Sequence, residues 1–153
     1  MSISCSIVDE FVALWNANET LATATSHDVQ ELESTLGIKL PNCHVYLITK
    51  HGDLYAPNLL DAIVDKELEL NDIQNFLLPN QMLEDTKAYE AAGMPEGYLV
   101  FASDCMGNMF CFKIDECKNQ LSEPPIWFFD HDFVEIKPIA NSFNEWLGNY
   151  VGL

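Results

Sequence analysis

A chain of 153 residues with 48% hydrophobic and 20% charged side chains has the length and composition of one globular domain, 1–153, able to bury roughly 70% of the surface its unfolded form exposes. Its 24 Asp and Glu stand against seven Lys and no Arg, a formal net charge of −17, so it lacks the cationic contacts that direct DNA or RNA binding requires. No apolar run approaches the roughly 18 residues needed to cross a bilayer, and no membrane partner is expected.

Five cysteines, Cys5, Cys43, Cys105, Cys111 and Cys117, form an odd and scattered set, and no basic segment precedes an apolar run at the N-terminus. Neither a disulfide framework nor a signal peptide is indicated, so the expectation is reduced thiols and a cytoplasmic location.

In chain order, Ser6 with Asp9 and Glu10 opens a helix whose apolar side is Ile7, Phe11, Leu14 and Trp15. Residues Asn16 to Thr25 read as a polar connector. A second helix follows, with Ser26 as cap, Asp28 in the first turn and Val29, Leu32 and Leu36 on one stripe. Gly37 ends it, and Ile38 can pack back on Leu32. Pro41 suits the first turn of a third helix carrying Leu40, His44, Leu47 and Ile48 along one side, with Gly52 as its stop.

Leu59, Leu60, Ile63 and Val64 suggest a short helix after Pro57, and Ile73 to Leu78 a strand. Asn80 to Ala92 reads as a helix closed by Gly93 and Pro95. Tyr98 to Ala102 and Met109 to Ile114 form a hairpin around Asp104, Gly107 and Asn108. Ile126 to Phe129 and Phe133 to Ile136 flank a turn at Asp130, His131 and Asp132. Ile139, Phe143, Trp146, Leu147 and Tyr150 then recur at helical spacing. This order gives an α+β fold: a single domain with a mixed or antiparallel sheet flanked by N-terminal helices and a C-terminal helix.

Chemistry-bearing groups do not converge in the sequence. Cys105, Cys111, Cys117 and His131 are nominal zinc ligands, but the cysteines lie too far apart for the usual paired spacing, and buried hydrophobe-like thiols are the plainer reading. Neither a nucleophile elbow nor a phosphate-cradling glycine loop is present. Of the histidines His27, His44, His51 and His131, His44 reads as a helix-edge side chain and His51 as a favourable charge near a helix C-terminus. No catalytic residue, metal or cofactor is therefore expected. Carboxylate density is the more informative feature: Asp61, Asp65, Glu67, Glu69 and Asp72 fall within a dozen residues, offset by Lys66, and Glu84 and Asp85 follow. Two readings apply to this segment, a solvated face that keeps the protein soluble and a partner-binding surface.

The run from Glu31 to Pro41 (ELESTLGIKLP), followed by Tyr46-Leu47-Ile48 and Gly52, resembles the opening signature of the SUKH superfamily of immunity and scaffold domains, which includes relatives of a fungal cell-wall assembly regulator. Leu99 to Asp104 with Gly107 and Asn108 resembles that family's central hairpin. Pro125 to Phe128, through His131-Asp132 to the stretch from Ala140 to Leu147, resembles its closing strands and helix. The likeness covers Val29 to Leu147; His51-Gly52-Asp53 stands where Asn-Gly-Gly is common, and Asp53 to Leu78 aligns with nothing.

The resemblance implies no catalytic residues. It implies an immunity protein that binds and neutralises a cognate toxin of a bacterial polymorphic or contact-dependent system, a basic nuclease domain by the charge argument, or else a non-catalytic intracellular scaffold or regulatory domain. Inhibition through an apolar groove fits the family equally well.

Overall fold

A computed structural model describes residues 4–19, 21–118 and 123–153. The elements are α1 (Ser6–Trp15), α2 (Ser26–Leu36), α3 (Asn42–Tyr46) running into a π-helical turn (Leu47–His51), α4 (Asn58–Asp65), β1 (Asn75–Phe76), α5 (Pro79–Ala91), β2 (Tyr98–Ser103), β3 (Met109–Lys113), a 3₁₀ turn (Ile114–Cys117), β4 (Ile126–Asp130), β5 (Glu135–Ala140) and α6 (Phe143–Val151). The sheet has five strands in the order β1-β2-β3-β4-β5, every pair antiparallel. The expected α+β domain is thus present, with a purely antiparallel meander.

Each face of the sheet is covered by different helices. Leu99, Phe101, Phe110, Phe112 and Phe128 point to one side and join a continuous core with Phe11, Leu32, Leu47, Phe143 and Trp146. Phe101 stacks on Phe112 with centroids 4.2 Å apart, and Trp146 meets Phe110 at 4.8 Å. The opposite face presents Tyr98, Val100, Met109, Cys111 and Phe129, a smaller cluster reached by Tyr89 of α5. Between Val100 and Ala102 the β2–β3 register slips. Thr86 of α5 supplies the hydroxyl that accepts the Val100 N–H at 3.0 Å, so the bulge leaves that buried donor satisfied.

Helix α2 starts as a capping box. The Thr25 hydroxyl accepts the Asp28 N–H and the Asp28 carboxylate accepts the Thr25 N–H, so the cap is Thr25 and not Ser26, each pair satisfying a donor a helix start leaves free. At the other end Gly37 takes the left-handed conformation, φ 66, and the Ile38 N–H returns to the Glu33 carbonyl, as the sequence suggested. Helix α1 packs along α6: the Trp15 indole N–H donates to the Tyr150 carbonyl at 3.0 Å and Phe11 meets the Tyr150 ring edge-on at 6.3 Å.

Other expectations shift. In α1 the buried residues are Val8 and Phe11, while Leu14 is 54% exposed. The strand expected over Ile73 to Leu78 shortens to β1, although the Gln74 and Leu77 N–H groups on either side of it still donate to the Ser103 and Phe101 carbonyls of β2. The last strand begins later than its apolar run: Phe133 and Val134 belong to the turn, and Ile139 lies in β5. The connector from Asn16 to Thr25 is irregular chain, apart from Thr20, which lies outside the described residues. The expectation of wholly reduced thiols is corrected for one pair: Cys5 and Cys43 form a disulfide across 38 residues of separation, the fold bringing the residue before α1 within 5.3 Å, Cα to Cα, of Cys43 on α3.

Candidate functional site

Segments distant in sequence enclose a cleft of about 570 Å³. Its walls are the α2 start (Asp28), the α5 start (Asn80, Gln81, Asp85), the connector (Asn18), Asp53 and the end of β2 (Ser103), over a floor that includes Phe76 and Leu77. Asp53 is placed there by Gly52, whose φ of 105 only glycine adopts readily and where a Cβ would collide with the Ala22 carbonyl. The Asp53 carboxylate accepts the Ala22 N–H at 2.8 Å, and the Asn18 amide donates to the Asp53 carbonyl at 3.1 Å. Asp85 accepts from the Gln81 amide at 2.6 Å. The hydrogen bonds from the backbone and then the hydroxyl of Thr25 hold the Asp28 carboxyl below its usual range.

The lining therefore offers carboxylates and amides on three sides and no Lys, His or Cys. Such a cleft attracts cationic or N–H-bearing groups. Among the described residues, no group of three or more His, Cys, Asp or Glu could hold a metal ion.

The residues singled out for partner binding divide into three places. Asp61 and Asp65, one helical turn apart on α4, and Glu67 and Glu69 in the segment that follows are all exposed. Glu67 has a left-handed backbone, φ 54. The ion pairs of the described residues engage Glu31, Glu33, Asp9, Asp115 and Asp132, none of them on this ridge, where Lys66 is exposed among the four carboxylates. Glu84 is exposed on α5 while Asp85, half-buried, turns into the cleft. Asp72 departs from the surface reading: it is buried and accepts the Cys105 N–H at 3.0 Å. Burial raises its carboxyl above the ordinary value, so it serves the fold of the β2–β3 turn.

The cysteines and histidines occupy structural positions. Burial pushes the Cys117 thiol up to about 12, and burial with the Asp72 hydrogen bond pushes Cys105 up to about 11, far from the thiolate character of a nucleophile. His44 is fully buried among Phe101, Phe112 and Phe143, with no hydrogen bond from either ring nitrogen to the described residues. Desolvation lowers its pKa to about 3, and it is a neutral core ring. His131 sits in the expected turn with its Nδ1 2.7 Å from Asn108 Oδ1, and Asp130 accepts the N–H groups of Asp132 and Phe133.

One polar trio escaped the sequence reading. His51 Nε2 lies 2.7 Å from Asp9 Oδ1, and the Tyr46 hydroxyl donates to the same carboxylate at 2.9 Å. The His51 and Tyr46 hydrogen bonds hold Asp9 below the usual carboxylate range. These groups fasten α1 to the π-helical turn; positions 9, 46 and 51 show no local pattern that would have announced the contact.

The family model described as SMI1 / KNR4 family (SUKH-1) matches residues 23–149. A search of curated proteins finds no match to the chain.

Proposed function

Because this chain belongs to the SMI1 / KNR4 family (SUKH-1), we propose that it is a cytoplasmic, non-catalytic immunity protein that binds and neutralises a basic, nuclease-type toxin domain of a bacterial polymorphic or contact-dependent system. The observation that carries this reading is the exposed ridge of Asp61, Asp65, Glu67 and Glu69, free of ion pairs among the described residues, on a molecule of net charge −17. Nuclease domains hold phosphates with Lys and Arg, so their working face is electrostatically complementary to such a ridge. Complementary potentials raise encounter rates by roughly 10- to 1,000-fold at low salt, and an antidote that arrives quickly limits damage.

The test is survival of a sensitive cell expressing a candidate toxin domain from a neighbouring gene, with and without this protein. Protection together with a complex on gel filtration is the expected result. No protection and no complex across all adjacent toxins removes the immunity reading in favour of a cellular scaffold. Reversing Asp61, Asp65, Glu67 and Glu69 to Lys is expected to slow association and flatten its salt dependence; unchanged kinetics would reduce the ridge to a solubilising face.

A further inference from the structure

One end of the sheet gathers apolar side chains that the fold does not use. Phe133 is 76% exposed, Met106 66% and Val134 50%. They lie on two turns that the structure holds together. Met109 pairs with Phe129 at the base of both turns, and the His131 N–H donates to Asn108 Oδ1 at 3.1 Å. The Tyr89 hydroxyl donates to the Gly107 carbonyl at 2.6 Å, and a Cβ on Gly93 would lie 3.2 Å from Val134 Cγ1. The end of α5, the β2–β3 turn and the β4–β5 turn thus form one surface.

Val134 adds a second observation. Its φ is 53, a backbone conformation that a β-branched residue adopts only with strain, and strained residues concentrate where a surface has a task beyond stability. An exposed aromatic beside a strained, exposed valine is costly to keep unless something covers it.

Charge selects what that something is. The two turns with the strand ends beside them, 103–109 and 130–136, carry Asp130, Asp132 and Glu135 besides the buried Asp104 and not one Lys or Arg, and Glu90 lies on the end of α5 that meets them. An anionic lipid surface would be repelled by them, and a second copy would bring the same charges face to face. A protein with a basic rim around an apolar socket meets both features.

We infer that the tip formed by Met106, Phe133 and Val134 is an anchor for the basic toxin domain, a contact distinct from the α4 ridge. The inference rests on the immunity reading above. Phe133 fills an apolar socket on the partner, as buried aromatics at the centre of interfaces do, while Asp132 and Glu135 face its cationic rim.

The experiment titrates the wild type, Phe133→Ser, Met106→Ser and Val134→Asn against the toxin domain identified by the survival assay. Phe133→Ser is expected to weaken binding at least about tenfold, chiefly through faster dissociation, with an unchanged melting temperature. Val134→Asn, which relieves the left-handed strain, is expected to weaken binding while melting at the same temperature or higher, an outcome that a purely structural role does not produce. Asp132→Asn with Glu135→Gln is expected to slow association and reduce its salt dependence.

Equal affinity of the wild type and the Phe133 and Met106 variants would overturn the anchor while leaving the immunity reading in place. Failure of the wild type to bind any basic toxin domain removes both. Cosedimentation of the wild type with zwitterionic or anionic phospholipid vesicles, lost in Phe133→Ser, would overturn the protein partner in favour of a lipid one.

Discussion

Phe101 and Phe133 are the same residue type with opposite fates. Phe101 is fully buried against Phe112, Trp146 and the neutral ring of His44; Phe133, thirty-two positions on, is 76% exposed at a turn. The sealed side of the sheet holds the molecule together, whereas the tip contributes surface. Aromatic content therefore says little about role until the chain's path decides which ring is enclosed.

The largest effect that sharpens this contrast is expected at Phe101. Truncation to Ala removes a core ring and leaves a cavity, a loss of about 3–5 kcal/mol readable as a lower urea midpoint. Next comes the covalent link on the sealed side: replacing Cys5 and Cys43 by Ser is expected to cost about 4 kcal/mol, since the bond closes a loop of 38 residues' separation. Reduction with dithiothreitol should reproduce that loss, and no loss in either experiment would mean that α1 is held by packing alone.

His44 gives a third test, with a definite sign. Its folded pKa of about 3 lies below the ordinary 6.5, so the unfolded chain binds the proton first and stability falls as pH drops below 6.5. The loss is about 1.4 kcal/mol per pH unit down to about pH 3. Comparing urea midpoints at pH 7 and 4.5 for wild type and His44→Leu isolates this contribution from the many carboxylates, and the variant should lose less on acidification. The smallest effect is expected at the tip: Phe133→Ser should change stability by no more than about 0.5 kcal/mol. A larger loss would place Phe133 in the packing and break the contrast.

Local signals made most elements legible. Asp28 marks the first turn of α2, although Thr25 and not the expected Ser26 is its cap; Gly37 and Gly52 mark stops, and the hairpin of β2 and β3 follows from two apolar runs on either side of Asp104, Gly107 and Asn108. Phe133 misled because an apolar run looks alike in a strand and in an exposed turn; only the left-handed Val134, unexpected for a valine, breaks the pattern. Asp72 looked like its acidic neighbours and was claimed instead by the Cys105 amide. The cleft was not legible at all, since Asn18, Asp53, Asp85 and Ser103 come from four separate segments. The Cys5–Cys43 bond shares that cause, a tertiary approach with no signature in spacing.

The contact between α1 and α6 also fixes the order in which the molecule can be completed. Each strand pairs with its neighbour in sequence, so the sheet can zip up in order of synthesis at small entropic cost. Trp15 must wait for Tyr150, 135 positions downstream. Helix α1 is thus made well before it can settle, and until translation reaches α6 its apolar side stays open to chaperones or to misassembly.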